Sequence, residues 1–493
     1  MPDGAAVHEH DHVVAETELK AGAIGLPGVL MQSVTAIAPA IAGMFTIPFI
    51  VSNAGVAAPL AYLGAFIIAV LLGYVLSQFT KHMTSVGTYY TFVTRSLGVR
   101  WGFLVAWVYL LFYPVVVAQV GSFMGDTLSS TLKSEYNVTF HWWYLMVFLI
   151  ALVAYTSYRG IELSARLVVT LGLIETAIVF ALGVSGFIDP GQGGINAHWL
   201  NPGNAPSGHG LFLGVVFAIF AITGWDAAAP LAEETEDPKR TIPRAVMGSI
   251  LLLGVFLVFV SWGQTVGWGT DRIGSFAGSS ELPAFVLGHR LWGDAWVLLL
   301  FALFNSALAV SIAVMNASAR FLFGMARTGA MPSALRKVHP QYKTPVTAVW
   351  FLTGVNVILG VLLPIAIGVS NVYNLTGTWF TFALAPVYAV SNVGLFIYYR
   401  REHPDEFSWF KHAVVPALGI IALVVVVYES VNPLPDYPIS LAPFIVLGWI
   451  VVGIGVLTWL VSSGRAGLLR HAGDAAAERM ESDEEHAARS SFV

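Results

Sequence analysis

The sequence predicts an all-α integral membrane protein with twelve transmembrane helices, two of which are interrupted near their middle. Of its 493 residues, 56% are hydrophobic and only 11% are charged, and the mean hydropathy is +0.73. A soluble domain carries about 25% charged residues, so most of this chain must lie in lipid. The two interruptions indicate discontinuous helices of the kind that form substrate sites within membranes.

Charge and cysteine content exclude several classes of protein. The net charge is −5 with no basic stripe, so nucleic acid is not an expected partner. The chain has no cysteine, which excludes disulfides and thiolate chemistry. Residues 1–20 lack the basic-then-apolar order of a cleaved signal peptide, and we therefore expect the first span to be retained.

Apolar stretches of the length that a bilayer requires, roughly 20 residues, recur along the whole chain. They predict twelve spans, near residues 26–50, 56–80, 100–128, 141–158, 161–188, 209–232, 243–268, 293–325, 345–368, 374–399, 411–429 and 441–463. We expect four regions: a polar tail (1–22), a ten-helix core (23–400), two further spans (401–463) and a second, largely disordered tail (464–493).

The distribution of lysine and arginine predicts the orientation. With both termini in the cytoplasm, all of the 24 basic residues except Lys133, Arg272 and Arg290 fall on the cytoplasmic side, as the positive-inside rule requires. The reverse orientation would invert that ratio. We therefore expect a multi-pass protein of the cell (plasma) membrane, surrounded by the lipid bilayer, with both termini inside.

The first span is interrupted by polar residues and a proline. Gln32, Ser33 and Thr35 precede Pro39, and Gly43 follows. Proline lacks a backbone donor, and its ring clashes with the preceding helical turn. Either a kinked but continuous helix, which membranes tolerate, or a helix in two halves fits this pattern, and the sequence leaves both open.

The sixth span is interrupted more strongly. Residues 210–221 are almost entirely apolar, and the polar segment 223–226, which ends in Asp226, follows in mid-span before Pro230. A carboxylate near the bilayer centre costs several kcal/mol unless it faces protein or water. Freed backbone groups at that depth are tolerated only where they line a cavity. The pattern predicts two half-helices beside a polar cavity. The charged stretch 233–244 that follows fits either a loop network that holds the inner gate or an ordinary solvated loop, and the sequence leaves both open.

The two interrupted spans divide the core into two sets of five. Spans one to five cover about 26–188, spans six to ten cover about 209–400, and each set opens with an interruption. Because five is odd, the second set must cross the membrane in the opposite sense. This predicts an inverted repeat with a site at the midplane between the two interruptions.

Three stretches resemble the amino acid–polyamine–organocation permeases. The sixth span and its loop carry the motifs Gly224-Trp225-Asp226, Glu233-Glu234, Asp237-Pro238, Arg240 and Ile242-Pro243. The approach to the third span carries Gly87, Tyr89, Gly98, Gly102-Phe103 and Trp107. The end of the eighth span and its loop carry Ser318-Ala319-Arg320, Met325-Ala326-Arg327-Thr328-Gly329, Pro332, His339-Pro340 and Thr344-Pro345.

This resemblance implies the LeuT-like fold, with helices 1 and 6 broken, and a secondary transporter that imports an amino acid with protons by alternating access. A polyamine or amine substrate, amino acid exchange and sodium coupling are the alternatives. Two positions depart from the family pattern. Many members have a glycine-rich break in the first span where this chain has residues 35–40, and proton-coupled members can carry a lysine near the position of Glu175.

An amino acid carries a carboxylate and an ammonium group a few ångströms apart, and two broken helices offer partners for both. Unpaired N–H groups at the start of a half-helix favour an anion, and unwound carbonyls favour a cation. The predicted substrate site consists of the residues at the two breaks, namely Thr35, Ala36, Ile37, Ala38, Ala221, Ile222, Thr223, Gly224 and Trp225.

Asp226 and Glu175 are the predicted proton-coupling residues, because burial away from water favours the neutral carboxyl. A cap on the second half-helix is the structural alternative for Asp226, and a bond to a neighbouring helix is the alternative for Glu175. Asn305, Ser306 and Ser311 form a possible ion site in the eighth span, although such residues more often bond between helices.

Other classes have weaker support. The run 183–186 has the Gly-x-Ser-Gly form of membrane serine proteases, but no paired histidine follows in a later span and there is no His-Glu-x-x-His run. A channel would need rings of charge or filter repeats, and a non-transporting scaffold is the remaining alternative. His8, His10 and His12 could bind a metal, but a flexible tail is the simpler interpretation. No cofactor and no metal site are predicted.

Overall fold

The structure is a computed structural model, and it describes residues 19–279, 281–327 and 331–463. These residues fold into helices and connecting turns, and their one contact of β type is an isolated bridge between Ile24 and Thr235. The tails at residues 1–18 and 464–493, with the histidines of the first tail, lie outside the described residues, as do Thr328 and Gly329.

Sixteen α-helices make up the described chain. In order they are α1 Leu26–Ile37, α2 Ile47–Ala54, α3 Ala58–His82, α4 Tyr89–Leu97, α5 Val99–Tyr109, α6 Val116–Tyr136, α7 Trp142–Arg159, α8 Ile161–Ile188, α9 Gly208–Ile222, α10 Pro238–Trp268, α11 Pro283–Trp292, α12 Val297–Arg327, α13 Val346–Ile367, α14 Val369–Glu402, α15 Val415–Glu429 and α16 Ala442–Ser462.

Eleven helical segments of the described chain are long and apolar enough to cross a membrane. The fourth predicted span is the additional helix α7, an 18-residue helix whose hydropathy Trp142, Trp143 and Arg159 lower. All twelve predicted spans are therefore helical. The sequence pattern did not predict the two short helices α4 and α11, which precede the third and eighth spans at corresponding points of the two repeats.

The ends of the spans form two faces. We call the face at which α1 begins the basic face; there Arg95 pairs with Glu402 at 3.0 Å between Nε and Oε2. On the opposite face, His209 at the start of α9 pairs with Glu429 at the end of α15, with 2.6 Å between Nδ1 and Oε2. Both pairs join residues that the alternating path of the chain places on the same face.

The first span is broken rather than kinked. Helix α1 ends at Ile37, and Ala38 takes the left-handed conformation with φ 59°. Pro39 follows, and its ring disfavours the helical conformation in the residue before it. The chain then forms a π-helical turn, Ile41–Phe45, before α2 begins. Such wide turns are rare and occur frequently at functional sites.

Side chains of two other spans stabilise this wide turn. The Tyr62 hydroxyl of α3 donates to the Ala42 carbonyl at 2.5 Å, and the Gln264 amide of α10 donates to the Gly43 carbonyl at 2.6 Å. Buried carbonyls need such partners, because an unpaired one costs about 1–3 kcal/mol. The interruption of the first span therefore depends on residues far away in the sequence.

The sixth span is broken as predicted. Helix α9 ends at Ile222, Thr223 is extended, and Gly224 has φ 140°. A 3-10 segment, Trp225–Glu234, completes the span. A Cβ atom on Gly224 would lie 2.6 Å from the backbone carbon and oxygen of Ala36. The two breaks are thus in direct backbone contact, and only glycine fits at this position.

The packing of the two halves agrees with an inverted repeat. In the first half, α7 packs on α6 and α8 packs on α12; in the second half, α13 packs on α12 and α14 packs on α6. The fourth span of each half therefore packs on the third span of its own half, and the fifth span packs on the third span of the other half. The broken helices also cross, because α1 packs on the 3-10 segment and α9 packs on α2.

Candidate functional site

A small central cavity lies where the two breaks meet. Its volume is about 50 Å³, which admits a few water molecules. Its walls come from both breaks, from α6 and the 3-10 turn before it, and from α9, α12 and α14, namely Ala36, Ile37, Ala38, Ile41, Ala42, Thr46, Tyr113, Val116, Gln119, Val120, Phe220, Ala221, Thr223, Val310, Val314, Tyr373 and Phe380. Most of this lining is apolar, and none of the described residues that form it is acidic or basic.

Five of the nine predicted substrate-site residues line this cavity: Ala36, Ile37, Ala38, Ala221 and Thr223. The other four lie behind its wall. The Thr35 hydroxyl bonds to the Met31 carbonyl of its own helix at 2.7 Å. Gly224 contacts the backbone of the first break, and Ile222 is fully buried.

Trp225, the last of these four, is fully buried and joins the two broken helices. Its carbonyl accepts a hydrogen bond from the Ser33 hydroxyl at 2.7 Å, and its ring packs on Tyr388 with 5.8 Å between ring centroids. Trp225 therefore supports the cavity wall from behind and does not cover a face of the cavity.

Asp226 lies inside a group of tyrosines. Its side chain is fully buried, and its carboxylate accepts hydrogen bonds from the hydroxyls of Tyr113 and of Tyr388, the latter at 3.1 Å. The tyrosine rings at 89, 109 and 113 pack in contact with each other or with Tyr388. Because Tyr113 also lines the central cavity, one hydrogen bond connects the Asp226 carboxyl to the cavity wall.

Glu175 is fully buried behind the first break. Neither of its carboxyl oxygens makes a hydrogen bond of normal geometry, although the side chains of Asn305 and Ser306 lie beside them. The Ser306 hydroxyl accepts a hydrogen bond from the Ile41 N–H at 3.4 Å. A short path therefore runs from Glu175 through Ser306 to the first residue of the wide turn.

The predicted ion site is only partly assembled by this arrangement. Asn305 and Ser306 are adjacent to Glu175, but the Asn305 amide also donates to the Leu171 carbonyl at 2.6 Å. Ser311 is a turn further along α12, and its hydroxyl donates to the Ala307 carbonyl of its own helix at 2.6 Å. Bonding within and between helices thus accounts for much of the polarity here.

An aromatic layer separates the central cavity from the opposite face. The layer consists of Phe45, Phe123 and Tyr373, with 3.6 Å between the centroids of Phe45 and Phe123 and 4.8 Å between those of Phe45 and Tyr373. Two vestibules of about 360 and 340 Å³ lie beyond it, one beside α11 and the other beside α15. A few packed aromatic rings therefore lie between the central cavity and this face.

Two ion pairs, one fully buried and one partly exposed, lie between the site and the basic face. Arg320 of α12 and Glu234 of the 3-10 segment form a two-point pair, with 3.0 Å between Nη2 and Oε1, and their side chains are 1% and 0% exposed. Arg327 pairs with Glu233 in the same two-point manner. The first two acidic residues of the charged stretch 233–244 therefore pair with arginines at the end of the eighth span, and the rest of that stretch contains the exposed pair Arg240–Asp237.

Two broken helices around a small cavity suit binding and release better than bond chemistry. In the protease-like run, the Ser185 hydroxyl donates to the Ala181 carbonyl at 2.8 Å and accepts from the Trp292 ring at 2.8 Å. Neither of these partners is a base that could make the hydroxyl a nucleophile.

Comparison with known proteins also indicates a protein that binds and releases a substrate, namely a permease. A family model described as amino acid permease matches residues 29–457. The chain is 27% identical to the branched-chain amino acid permease BcaP of Bacillus subtilis (strain 168) over 402 residues, which cover 78% of this chain and 79% of that protein.

Two other relatives are named for different substrates. The methylthioribose transporter of Bacillus subtilis (strain 168) is 23% identical over 458 residues, which cover 87% of this chain and 90% of the relative. The low-affinity putrescine importer PlaP of Escherichia coli (strain K12) is 23% identical over 417 residues, which cover 77% and 88%. The chain belongs to the amino acid permease family within the amino acid–polyamine–organocation permeases, and it is a multi-pass membrane transporter with the twelve-helix, LeuT-like fold of that family, and not an enzyme.

Proposed function

We propose that this permease imports a neutral amino acid with an aliphatic side chain, driven by protons, by alternating access. The observation that carries the proposal is the central cavity between the two breaks, whose lining is largely apolar and contains no acidic or basic residue among those described. A hydrophobic wall selects an aliphatic side chain through burial, at about 25 cal/mol per Å² of apolar surface. One relative is itself named a branched-chain amino acid permease.

The backbone at the breaks supplies partners for the two charges of an amino acid. Helices α1 and α9 end at the cavity, at Ile37 and Ile222, and the carbonyls of a helix C-terminus carry partial negative charge that suits an ammonium group. The second halves of both spans begin at Ile41 and Trp225, where N–H groups suit a carboxylate. In this proposal the nine predicted site residues either contact the substrate or position those that do.

Two buried carboxyls support proton coupling. Asp226 is one hydrogen bond from the cavity through Tyr113, and Glu175 is connected to the first break through Ser306. An ionised carboxyl without bonding partners is costly in a buried position, so the uptake of a proton at Glu175 changes the free energy of this region. Coupling of substrate to such a proton requires only that the two bind the same conformation with different affinity.

We further propose that the basic face is the cytoplasmic face of the cell membrane. Among the described residues, the lysines and arginines of the opposite face are Lys133, Arg272 and Arg290. The positive-inside rule then places the vestibules outside and the ion pairs of the charged loop inside. In this orientation the aromatic layer is the outer gate and the pairs Glu234–Arg320 and Glu233–Arg327 are the inner gate.

A diamine is the second substrate class to test, because one relative is named a putrescine importer. A diamine carries two cations, and each of these needs an acidic or π partner when it leaves water. The central cavity offers Tyr113, Tyr373 and the Phe rings but no carboxylate. The lining therefore favours the zwitterion over the dication.

Uptake by proteoliposomes tests the proposal. Purified protein in sealed vesicles with an imposed inward proton gradient should accumulate radiolabelled leucine, isoleucine or valine in a saturable way, and a protonophore should abolish the accumulation. Replacing external sodium with choline should leave uptake unchanged. Putrescine accumulation without leucine uptake would reject the proposed substrate, and sodium dependence with insensitivity to the protonophore would reject proton coupling.

A further inference from the structure

A cluster of three metal-binding side chains lies on the basic face, outside the central cavity. His82 is the last residue of α3, whereas His403 and Glu406 belong to the turn between α14 and α15. One possible ligand atom from each residue lies within 4.8 Å of the other two. Histidine and carboxylate in such proximity are the usual ligands of Zn²⁺ in proteins. We call these three residues the histidine cluster.

The spacing suits a tetrahedral ion. His82 Nε2 and Glu406 Oε2 are 3.2 Å apart. With bonds of about 2.0–2.2 Å to nitrogen and oxygen, two ligands of a tetrahedral Zn²⁺ lie about 3.3 Å from each other. Without a metal this contact is a hydrogen bond, and an ion that replaced its proton would need little change in the spacing of the two atoms. His403 needs to approach by no more than about 1.5 Å, which a side-chain rotation provides.

The surroundings of His403 orient its ring as a ligand. The Tyr398 hydroxyl bonds to Nε2 of His403 at 2.8 Å, so a metal bound by His403 with this bond intact would be bound through Nδ1. Metal-ligating histidines almost always have such a hydrogen bond at the second ring nitrogen. The two imidazoles stack with 4.0 Å between centroids and 26° between planes. Neutral imidazole is the form of histidine that ligates metals.

Neighbouring charges affect the strength and the selectivity of the cluster. Lys239 lies near His82, and its positive charge opposes a bound cation, whereas the Glu406 carboxylate favours one. Two imidazole nitrogens favour first-row transition ions such as Zn²⁺, Co²⁺ or Ni²⁺ over Mg²⁺ and Ca²⁺, which prefer oxygen ligands. The expected ligand is thus a borderline-soft divalent ion bound with moderate affinity.

We propose that His82, His403 and Glu406 bind a divalent transition-metal ion such as Zn²⁺, with water as the fourth ligand. A bound ion would join the end of the second span to the turn that follows the tenth span. The proposal is independent of the transported substrate, because none of the three residues lines the central cavity.

Metal titration of the full-length protein tests the site. The protein is purified without a polyhistidine tag and carries His8→Ala, His10→Ala and His12→Ala, so that the first tail cannot contribute ligands. Titration with Co²⁺ should produce the visible absorption of a tetrahedral Co²⁺ centre, with saturation near one equivalent. Added Zn²⁺ should abolish that absorption and raise the melting temperature, since an ion that binds only the folded state stabilises it.

Variants in the cluster decide between a site and a chance arrangement. His82→Ala, His403→Ala and Glu406→Gln should each weaken Co²⁺ binding by about tenfold or more, whereas Asp405→Asn in the same turn should not. Glu406 is more than half exposed, so its variant should keep the metal-free melting temperature and serves as the test if a histidine variant fails to fold. Equal Co²⁺ binding by Glu406→Gln and the parent, or no tetrahedral absorption in the parent, would overturn the proposal.

Discussion

The two broken helices reach the same kind of interruption by different means. In the first span the left-handed residue is Ala38, a conformation that costs a non-glycine residue about 1–2 kcal/mol, and Pro39 follows it. In the sixth span the residue with positive φ is Gly224, for which the conformation is readily accessible. The first break is therefore strained and the sixth is not.

The buried carboxyls near the two breaks also differ: the one at the sixth break has hydrogen-bond partners, and the one near the first break lacks them. Asp226 accepts hydrogen bonds from Tyr113 and Tyr388, whereas Glu175 has no hydrogen bond of normal geometry. Hydrogen-bond partners hold a buried carboxylate in place, and a buried carboxyl without partners gains the most from a change of protonation. We propose from this comparison that the sixth break is the fixed wall of the site and that the first break is the part that responds to protons.

The largest expected effect comes from Gly224→Ala. The new Cβ atom would lie 2.6 Å from the Ala36 backbone, and φ 140° is unfavourable for alanine. Overpacking and backbone strain each cost about 1–3 kcal/mol. We expect a loss of about 4 kcal/mol of stability and no measurable uptake.

The control for this variant is Gly354→Ala in α13, where an added Cβ meets no atom within 4 Å. Melting temperatures in detergent compare the two proteins directly. A Gly224→Ala protein as stable and active as Gly354→Ala would show that the two breaks do not need to be in contact.

Asp226→Asn should have the second largest effect. Asparagine keeps the size of the side chain and one acceptor oxygen but cannot exchange a proton, so uptake should lose its dependence on external pH while the protein still reaches the membrane. Initial uptake rates across a range of external pH, with Asp126→Asn as a matched carboxyl control, measure this. Uptake that responds to pH as in the parent would remove Asp226 from the mechanism.

Glu175→Gln should separate driven uptake from exchange. Glutamine is permanently neutral and mimics the protonated acid, so proton-driven accumulation should fall about tenfold or more, as for other general acid–base groups. Exchange of internal for external substrate should be spared, because it needs no net proton movement. Equal losses in both assays would indicate that Glu175 is a packing residue.

The smallest expected effect is that of Ser306→Ala, which removes the acceptor of a 3.4 Å hydrogen bond from Ile41. A net contribution of about 1 kcal/mol or less is expected for such a bond. If the first break responds to Glu175 through Ser306, the substrate concentration at half-maximal rate should rise while stability changes little. The control is Ser122→Ala in α6. The Ser122 hydroxyl bonds to the Ala118 carbonyl of its own helix, so its removal should leave both quantities unchanged.

The sequence predicts the fold well because the lipid that surrounds the chain restricts it to membrane-spanning helices. Backbone groups in lipid must bond within helices, so hydropathy locates every span, and Gly224 with Asp226 identifies the sixth break. Whether Pro39 kinks or breaks the first span depends on Tyr62 and Gln264, which bond to the wide turn from 20 and 221 residues away. Local pattern carries no information on such contacts.

The site was predicted less completely for a related reason. Which side chains near a break point into the cavity depends on φ and ψ at one or two residues, so Thr35 and Trp225 were expected in the lining although they lie behind it. The contact of Tyr388 with Asp226 spans 162 residues. The signal that could have found it is an aromatic hydroxyl in mid-span, a polar group that needs a buried partner.

The wide turn Ile41–Phe45 has a mechanical consequence. It accommodates one surplus residue relative to an α-helical turn, and the hydroxyl of Tyr62 and the amide of Gln264 bond to the carbonyls that this leaves free. Returning that residue to α-helical register would turn the helix beyond it by about 100° and advance it by about 1.5 Å. Phe45, the last residue of the turn, would then swing away from Phe123. A shift of one residue in the helical register near the middle of the membrane would thereby separate the rings of the aromatic layer, which is the proposed outer gate.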